Sequence, residues 1–218
     1  MQDMIRVAVV DDQNISRSFF EMYVRSSKRY ELIAALPSAE MAVDLVERQP
    51  VDLIIMDVLM RWGLDGLSAA ERIKKAHPEI KIILTTSTSE TSWEEKAREI
   101  GVESFWYKEY DEQSLLEIMD RTTEGEHIYP ESPPDQEFGR IRRSDLTERE
   151  LEVLRELTNC LSNEEIAGKL FISVNTVRFH IQNMLSKTGF ENRLELAMNA
   201  KALGLVVSDE DRTKNAKR

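Results

Sequence analysis

The chain has 218 residues, 41% hydrophobic and 32% charged, a composition that excludes a disordered or fibrous protein and leaves room for one large domain or two small ones. Its 40 acidic against 29 basic residues give a net charge of −11, which taken alone argues against nucleic-acid binding, because phosphate contacts need clustered Lys and Arg. The single cysteine, Cys160, excludes an intramolecular disulfide framework and a Cys-rich zinc site and fits a reducing, cytoplasmic compartment. The apolar run near the N-terminus is too short for a secretory leader, and no run has the length of a membrane span, so a soluble protein is expected.

In chain order, short apolar runs alternate with amphipathic ones. Residues 5–10 are apolar and β-branched and read as a buried strand. Residues 16–26 carry Phe19, Phe20, Tyr23 and Val24 at helical spacing. A second strand is expected over 31–36, ended by Pro37; Ser38 then caps a helix with Met41, Ala42, Leu45 and Val46 on one face. Further strands are expected at 53–56, 80–84 and 102–107. Further helices are expected at 67–76, closed by Pro78, at 93–100, closed by Gly101, and at 113–121. Five strands alternating with five helices predict a doubly wound α/β domain over 1–125, a five-stranded parallel sheet of flavodoxin-like type. In such a sheet, ligands bind at the carboxyl ends of the strands.

Residues 126–143 are proline-rich and mixed in charge and read as a linker. Residues 144–208 carry only helical patterns and predict a small all-α domain; 209–218 read as a polar tail. The charge divides with the domains. Residues 140–218 hold 14 basic and 12 acidic side chains, so the acidic excess belongs to the first domain.

Three carboxylates fall at the expected strand ends: Asp11 and Asp12 after the first strand, Asp57 after the third. The first and third strands are neighbours in a doubly wound sheet, so these groups converge. A bare cluster of like charges is unfavourable. A hard divalent cation such as Mg²⁺, which prefers carboxylate oxygens, resolves the conflict. Thr86 and Ser87 follow the fourth strand and Lys108 follows the fifth, at the same edge. The set can accept a phosphoryl group: Asp57 attacks, Mg²⁺ and Lys108 neutralise the phosphoryl oxygens, and Thr86 bonds to the product. Taken singly, each residue also has a bland reading, as a helix cap, a turn residue or a solvated strand end.

Residues 4–124 resemble the receiver domain of two-component response regulators. The resemblance rests on Asp11-Asp12, Asp57 in LIIMD, LDG at 64–66, Thr86-Ser87 and Lys108 in FWYK. It implies that Asp11 and Asp12 bind metal with Asp57, that Asp57 is the phosphoacceptor, and that Thr86 and Lys108 bind the phosphoryl group. It also matches Phe105 to the aromatic that changes rotamer in the switch. The segment at 60–66 departs from the family pattern: a proline is replaced and the loop is one residue longer, bringing in Arg61 and Trp62. Any side chain at Leu59 leaves a backbone carbonyl for the metal. A haloacid-dehalogenase-type phosphatase also uses an aspartyl phosphate, but it requires an acid two residues after the nucleophile, where this chain has Leu59. The phosphoryl group is thus expected to be stored, and the chain is not expected to be an enzyme.

In the second domain, Thr147 and Glu150 form a capping box before the stripe Leu151, Leu154, Leu157 and Leu161. Ser162 with Glu165 caps a second helix. Ser173 caps a third, ending at Gly189, and a fourth stops at Gly204. The tight turn 171–173 suggests a helix-turn-helix. In the third helix Val174, Val177, Ile181, Met184 and Leu185 face inward, leaving Asn175, Arg178, Phe179, Gln182 and Ser186 on an opposed arc. That arc suits base edges: Arg reads guanine, Gln reads adenine, and Phe touches a thymine methyl.

This region resembles the LuxR-type helix-turn-helix of NarL/FixJ response regulators, through LTERELEVL, LSNEEIAGKLFISVNTVRFHIQNMLSKTGF and ENRLELAMNAKALGLV. The resemblance implies base contacts from Arg178, Phe179 and Gln182. It implies phosphate contacts or helix support from Thr147, Asn163, Asn175, Thr176 and His180, and subunit pairing through the helix at 192–203. Cys160 stands where the family commonly has glycine, so Asn159 is expected to take the left-handed conformation instead.

The expected function is a DNA-binding transcription factor controlled by receiver phosphorylation. Its expected partners are double-stranded DNA, a histidine kinase and a second copy in a homodimer. Two alternatives remain open from sequence: a receiver–helix-turn-helix regulator controlled by ligand or protein contact without phosphorylation, and a signalling adaptor whose helical domain binds protein.

Overall fold

The computed structural model describes residues 4–60, 63–88, 92–108, 114–130 and 135–206. The chain divides into two compact units, the first running to Ser132 and the second from Pro133.

The first unit is built from β1 (Ile5–Val10), α1 (Asn14–Ser26), β2 (Tyr30–Leu36), α2 (Ala39–Val46), β3 (Leu53–Asp57), α3 (Gly66–Ala76), β4 (Lys81–Thr86), α4 (Ser92–Ile100), β5 (Ser104–Tyr107) and α5 (Leu115–Thr123). The strands lie in the order β2-β1-β3-β4-β5, and every pairing is parallel. Their apolar runs are near-continuous because both faces are covered. Val7, Val9, Phe20, Val24, Leu53, Ile55, Ile83, Trp106, Ile118 and Met119 form one core cluster. The alternating set Ala8, Val10, Ile54, Met56, Ile82, Leu84 and Phe105 is buried as completely on the opposite face. Caps punctuate the helices: Ser38 accepts from Met41 N–H, Asp65 from Ser68 N–H and Ser114 from Glu117 N–H. The start expected for the last helix, at residue 113, lies outside the described residues.

The second unit contains a short antiparallel hairpin, β6 (Glu137–Phe138) and β7 (Ile141–Arg142), followed by α6 (Glu148–Thr158), α7 (Asn163–Leu170), α8 (Val174–Thr188) and α9 (Arg193–Ala202). Thr147 and Ser162 both close capping boxes, with Glu150 and Glu165, and Gly189 ends α8 in the left-handed region at φ 79°. The core gathers Phe138, Leu151, Leu154, Leu157, Ile166, Val177, Ile181, Met184 and Leu196.

The segment 126–143, expected as a linker, makes ordered contacts among its described residues. At its start Ile128 pairs in parallel with Ser104. Near its end Phe138 is fully buried in the second unit and meets Phe190 edge-on at 5.1 Å. A two-residue strand is too short to show alternation, so composition alone hid it. At the end of α6, Cys160, not Asn159, takes the left-handed conformation, at φ 59°. Asn159 keeps φ −80°, with its side-chain amide donating to Glu156.

Candidate functional site

The carboxyl edge of the sheet gathers the sequence-singled residues of the first unit. Asp11 follows β1, Asp57 is the last residue of β3, Thr86 the last of β4, and Lys108 follows β5. The backbone fixes this edge: Val58 N–H donates to Thr85 O at 2.8 Å and Lys108 N–H to Thr86 O at 2.9 Å. Asp11 and Asp57 are essentially buried, as is Thr86. Neither Asp11 nor Asp12 caps α1. Gln13 holds the cap position, and Asp11 Oδ1 accepts from its backbone N–H at 2.8 Å.

Lys108 Nζ lies 2.6 Å from Asp11 Oδ2, 2.7 Å from Asp57 Oδ1 and 3.1 Å from Ser16 Oγ. Asp11, Asp12 and Asp57 each offer a carboxylate oxygen within 4.8 Å of the others. An all-oxygen, anionic donor set of this kind fits a hard cation such as Mg²⁺. Burial, helped by the Asp11 charge, pushes the Asp57 carboxyl up to about 7 against the pull of Lys108. Burial pulls Lys108 down, but Asp57 and Asp11 outweigh it, so the ammonium is held charged with a raised pKa.

Gly66 allows this geometry. A Cβ there would stand 2.0 Å from the backbone carbonyl oxygen of Asp57, so only glycine lets α3 start against β3. Phe105 is fully buried, edge-on to Tyr107 at 5.4 Å. Residues 61 and 62, the departure in the 60–66 loop, lie outside the described residues.

Sequence reasoning missed Ser16 and Arg17. Arg17 Nη1 donates to Asp11 O at 2.6 Å and so braces the loop carrying the acids. Both lie in the first turns of α1, where hydroxyl and basic residues are ordinary and carry no pattern of their own.

In the second unit, α7 ends at Phe171, which takes φ 54° and is 94% exposed, and the chain re-enters α8 through the Ser173 cap. Asn175, Arg178, Phe179, Gln182 and Ser186 are all exposed, and Phe179 shows 62% of its surface. Arg178 Nη1 donates to Asn175 Oδ1 at 3.3 Å, holding one turn of this arc together. Thr176 and His180 are half-buried at its margin; Thr176 Oγ1 is 2.8 Å from Ser173 Oγ. Two further sequence-singled residues have structural partners. Thr147 caps α6 and hydrogen-bonds Glu150, and Asn163 Oδ1 accepts from Arg193 Nη1 of α9 at 3.0 Å. No helix among the described residues is long and apolar enough to cross a membrane.

Residues 7–120 match the response regulator receiver domain, and residues 144–200 match the bacterial regulatory proteins of the luxR family. The response regulator protein VraR of Staphylococcus aureus is 31% identical over 201 residues, covering 90% of this chain and 96% of that protein. VraR of Staphylococcus epidermidis gives the same identity and coverage. Among solved structures, a complex of the two-component response regulator RcsB with DNA aligns over 92% of this chain and 99% of that one, with a TM-score of 0.59 at 20% identity. RcsB from Salmonella enterica serovar Typhimurium, bound to a promoter in the presence of phosphomimetic BeF₃⁻, aligns with a TM-score of 0.58 at 21% identity over 91% of this chain and 99% of that one. At these identities the structures establish a shared fold. Taken with the strand-end chemistry and the exposed arc of α8, the matches establish that this chain belongs to the response regulators of the NarL/FixJ type, DNA-binding transcription regulators that join a receiver to a LuxR-type helix-turn-helix.

Proposed function

We propose that Asp57 is the phosphoacceptor of this regulator and that its phosphorylation controls DNA binding through α8. The observation that carries the reading is Lys108 Nζ between two buried carboxylates, 2.6 Å from Asp11 and 2.7 Å from Asp57. An Asp57 oxygen attacks phosphorus of a kinase phosphohistidine, the P–O bond forms as the P–N bond breaks, and the imidazole leaves with the electron pair. Asp11, Asp12 and Asp57 would hold Mg²⁺, which supplies charge neutralisation for the transferring group. Lys108 then faces phosphoryl oxygen in place of carboxylate oxygen. Thr86, at the end of β4, offers its hydroxyl to the same group. The added charge biases the β4–β5 edge and with it Phe105.

In the second unit, Arg178, Phe179 and Gln182 face the bases, and Asn175, Thr176 and His180 flank the phosphates. Thr147 and Asn163 support their helices and stand at helix N-termini, where phosphate is attracted. The helical region has only two more basic than acidic residues over 140–218, so one copy holds DNA weakly. Pairing of two copies through α9 joins two half-site contacts into one tight one. Leu194 and Met198, one turn apart and both more than 60% exposed, give α9 an apolar stripe for it.

The test is binding of the chain to a DNA fragment carrying its own promoter, with and without a small phosphodonor and Mg²⁺. Phosphorylated protein should bind more tightly. Equal binding in both states would remove phosphorylation from the control of DNA.

A further inference from the structure

Phe105 is fully buried, and part of its cover comes from beyond the five-stranded sheet. After α5 the chain returns along the free edge of β5. Ile128 N–H donates to Glu103 O at 3.1 Å, and Phe105 N–H donates to Ile128 O at 2.9 Å. This pairing closes an edge that would otherwise expose unpaired backbone. The next residue, Tyr129, sets its ring nearly parallel to that of Phe105, with centroids 6.4 Å apart and planes at 19°. Two further anchors fix the ring. Its hydroxyl donates to Val102 O at 2.8 Å, and the Arg98 guanidinium of α4 lies 3.7 Å from its centroid. The last contact is a cation–π arrangement.

We infer that Tyr129 is a positioning residue of the receiver switch: it holds Phe105 in its buried rotamer and so ties the start of the interdomain segment to the state of the Asp57 pocket. The inference rests on the reading of Asp57 as phosphoacceptor. Its physical path is short. Lys108 follows Phe105 by three residues on one strand end. Leu84 is paired with Phe105 and Thr86 with Tyr107, and Lys108 N–H is bonded to Thr86 O. A phosphoryl group that redirects Lys108 and Thr86 acts on this strand end, where Tyr129 lies stacked beside the fully buried Phe105 ring. Edge pairing alone would accept any residue at 129. The ring stacked toward Phe105 and the cation above it are what a passive edge cover does not require. Coupling of this kind is reciprocal, so removing the ring must change how well the pocket binds a phosphoryl analogue.

The experiment uses the full chain with beryllofluoride and Mg²⁺ as the phosphoryl analogue, followed by amide hydrogen exchange on peptides covering 102–108 and 126–130. In wild type, the analogue should change exchange at 126–130 together with that at 102–108. Tyr129→Ala should change the apparent affinity for beryllofluoride by about fivefold or more and uncouple 126–130 from the pocket. Tyr129→Phe, which keeps the ring, should behave as wild type. A merely structural role would lower the melting temperature of Tyr129→Ala and leave the affinity alone. Wild type that binds the analogue with no change at 126–130 overturns the inference without any variant. So does unchanged affinity in Tyr129→Ala, or a Tyr129→Phe protein that behaves like Tyr129→Ala. Wild type that binds no analogue overturns the phosphoacceptor reading, and this inference with it.

Discussion

The ammonium of Lys108 stands 2.7 Å from the carboxylate of Asp57, and both are nearly withdrawn from water. The pair links the end of β3 to the end of β5 across β4, so the charge state of one aspartate is felt at the far edge of the sheet.

Burial raises the Asp57 carboxyl from 3.8 to about 7. A carboxyl whose pKa is raised by folding binds its proton more tightly in the folded state. Protonation therefore favours the fold, and that contribution is lost as pH rises from 3.8 toward 7. In metal-free buffer, Asp57→Asn should melt above wild type at pH near 8, and the gap should narrow as the pH is lowered. Added Mg²⁺ should raise the melting temperature of wild type more than that of Asp57→Asn. Thermal melts with chelator or with Mg²⁺ check both parts.

Gly66→Ala places a Cβ 2.0 Å from a backbone oxygen, which cannot swing aside as a side chain could. The start of α3 must shift away from β3, and the expected loss of stability is about 1–3 kcal/mol. Urea unfolding measures it. Phosphorylation of the folded variant should also be slower, because the clash falls on the backbone of Asp57 itself.

The fold was legible in the sequence because its signals are long. Five apolar runs of four to seven residues, each followed by an amphipathic stretch, leave little choice of architecture. Asp11, Asp57, Thr86 and Lys108 were legible for the same reason: each stands at the end of such a run. The segment after α5 was not. Ile128 and Tyr129 are two residues between polar and proline-containing stretches, and their burial comes from the β5 edge, which no local period encodes. Phe138 is alike: one aromatic in a polar stretch, fixed by Phe190 far along the chain. The left-handed residue after α6 was misplaced by one position, because Asn and the residue after it could each end that helix, and the choice is made by Cys160 N–H bonding back to Leu157 O at 3.0 Å.

Phe171 occupies the left-handed region with 94% of its surface in water, so it carries a backbone cost with little burial to offset it. Phe171→Asn should stabilise the helical unit by about 1 kcal/mol. A higher denaturant midpoint for that unit's transition is the expected reading.

Arg178 and Gln182 point outward from α8 and contribute nothing to its core. Alanine at either position should leave the melting temperature unchanged and weaken specific DNA binding by about 1–3 kcal/mol. Fluorescence anisotropy with a specific and a scrambled duplex separates the two effects. The loss should be confined to the specific duplex.

Phosphoryl transfer to Asp57 is read out by intact mass after incubation with a small phosphodonor and Mg²⁺. Wild type should gain the mass of one phosphoryl group, and Asp57→Ala should gain none. No gain in wild type, or a gain that persists in Asp57→Ala, would contradict the assignment of Asp57 as phosphoacceptor.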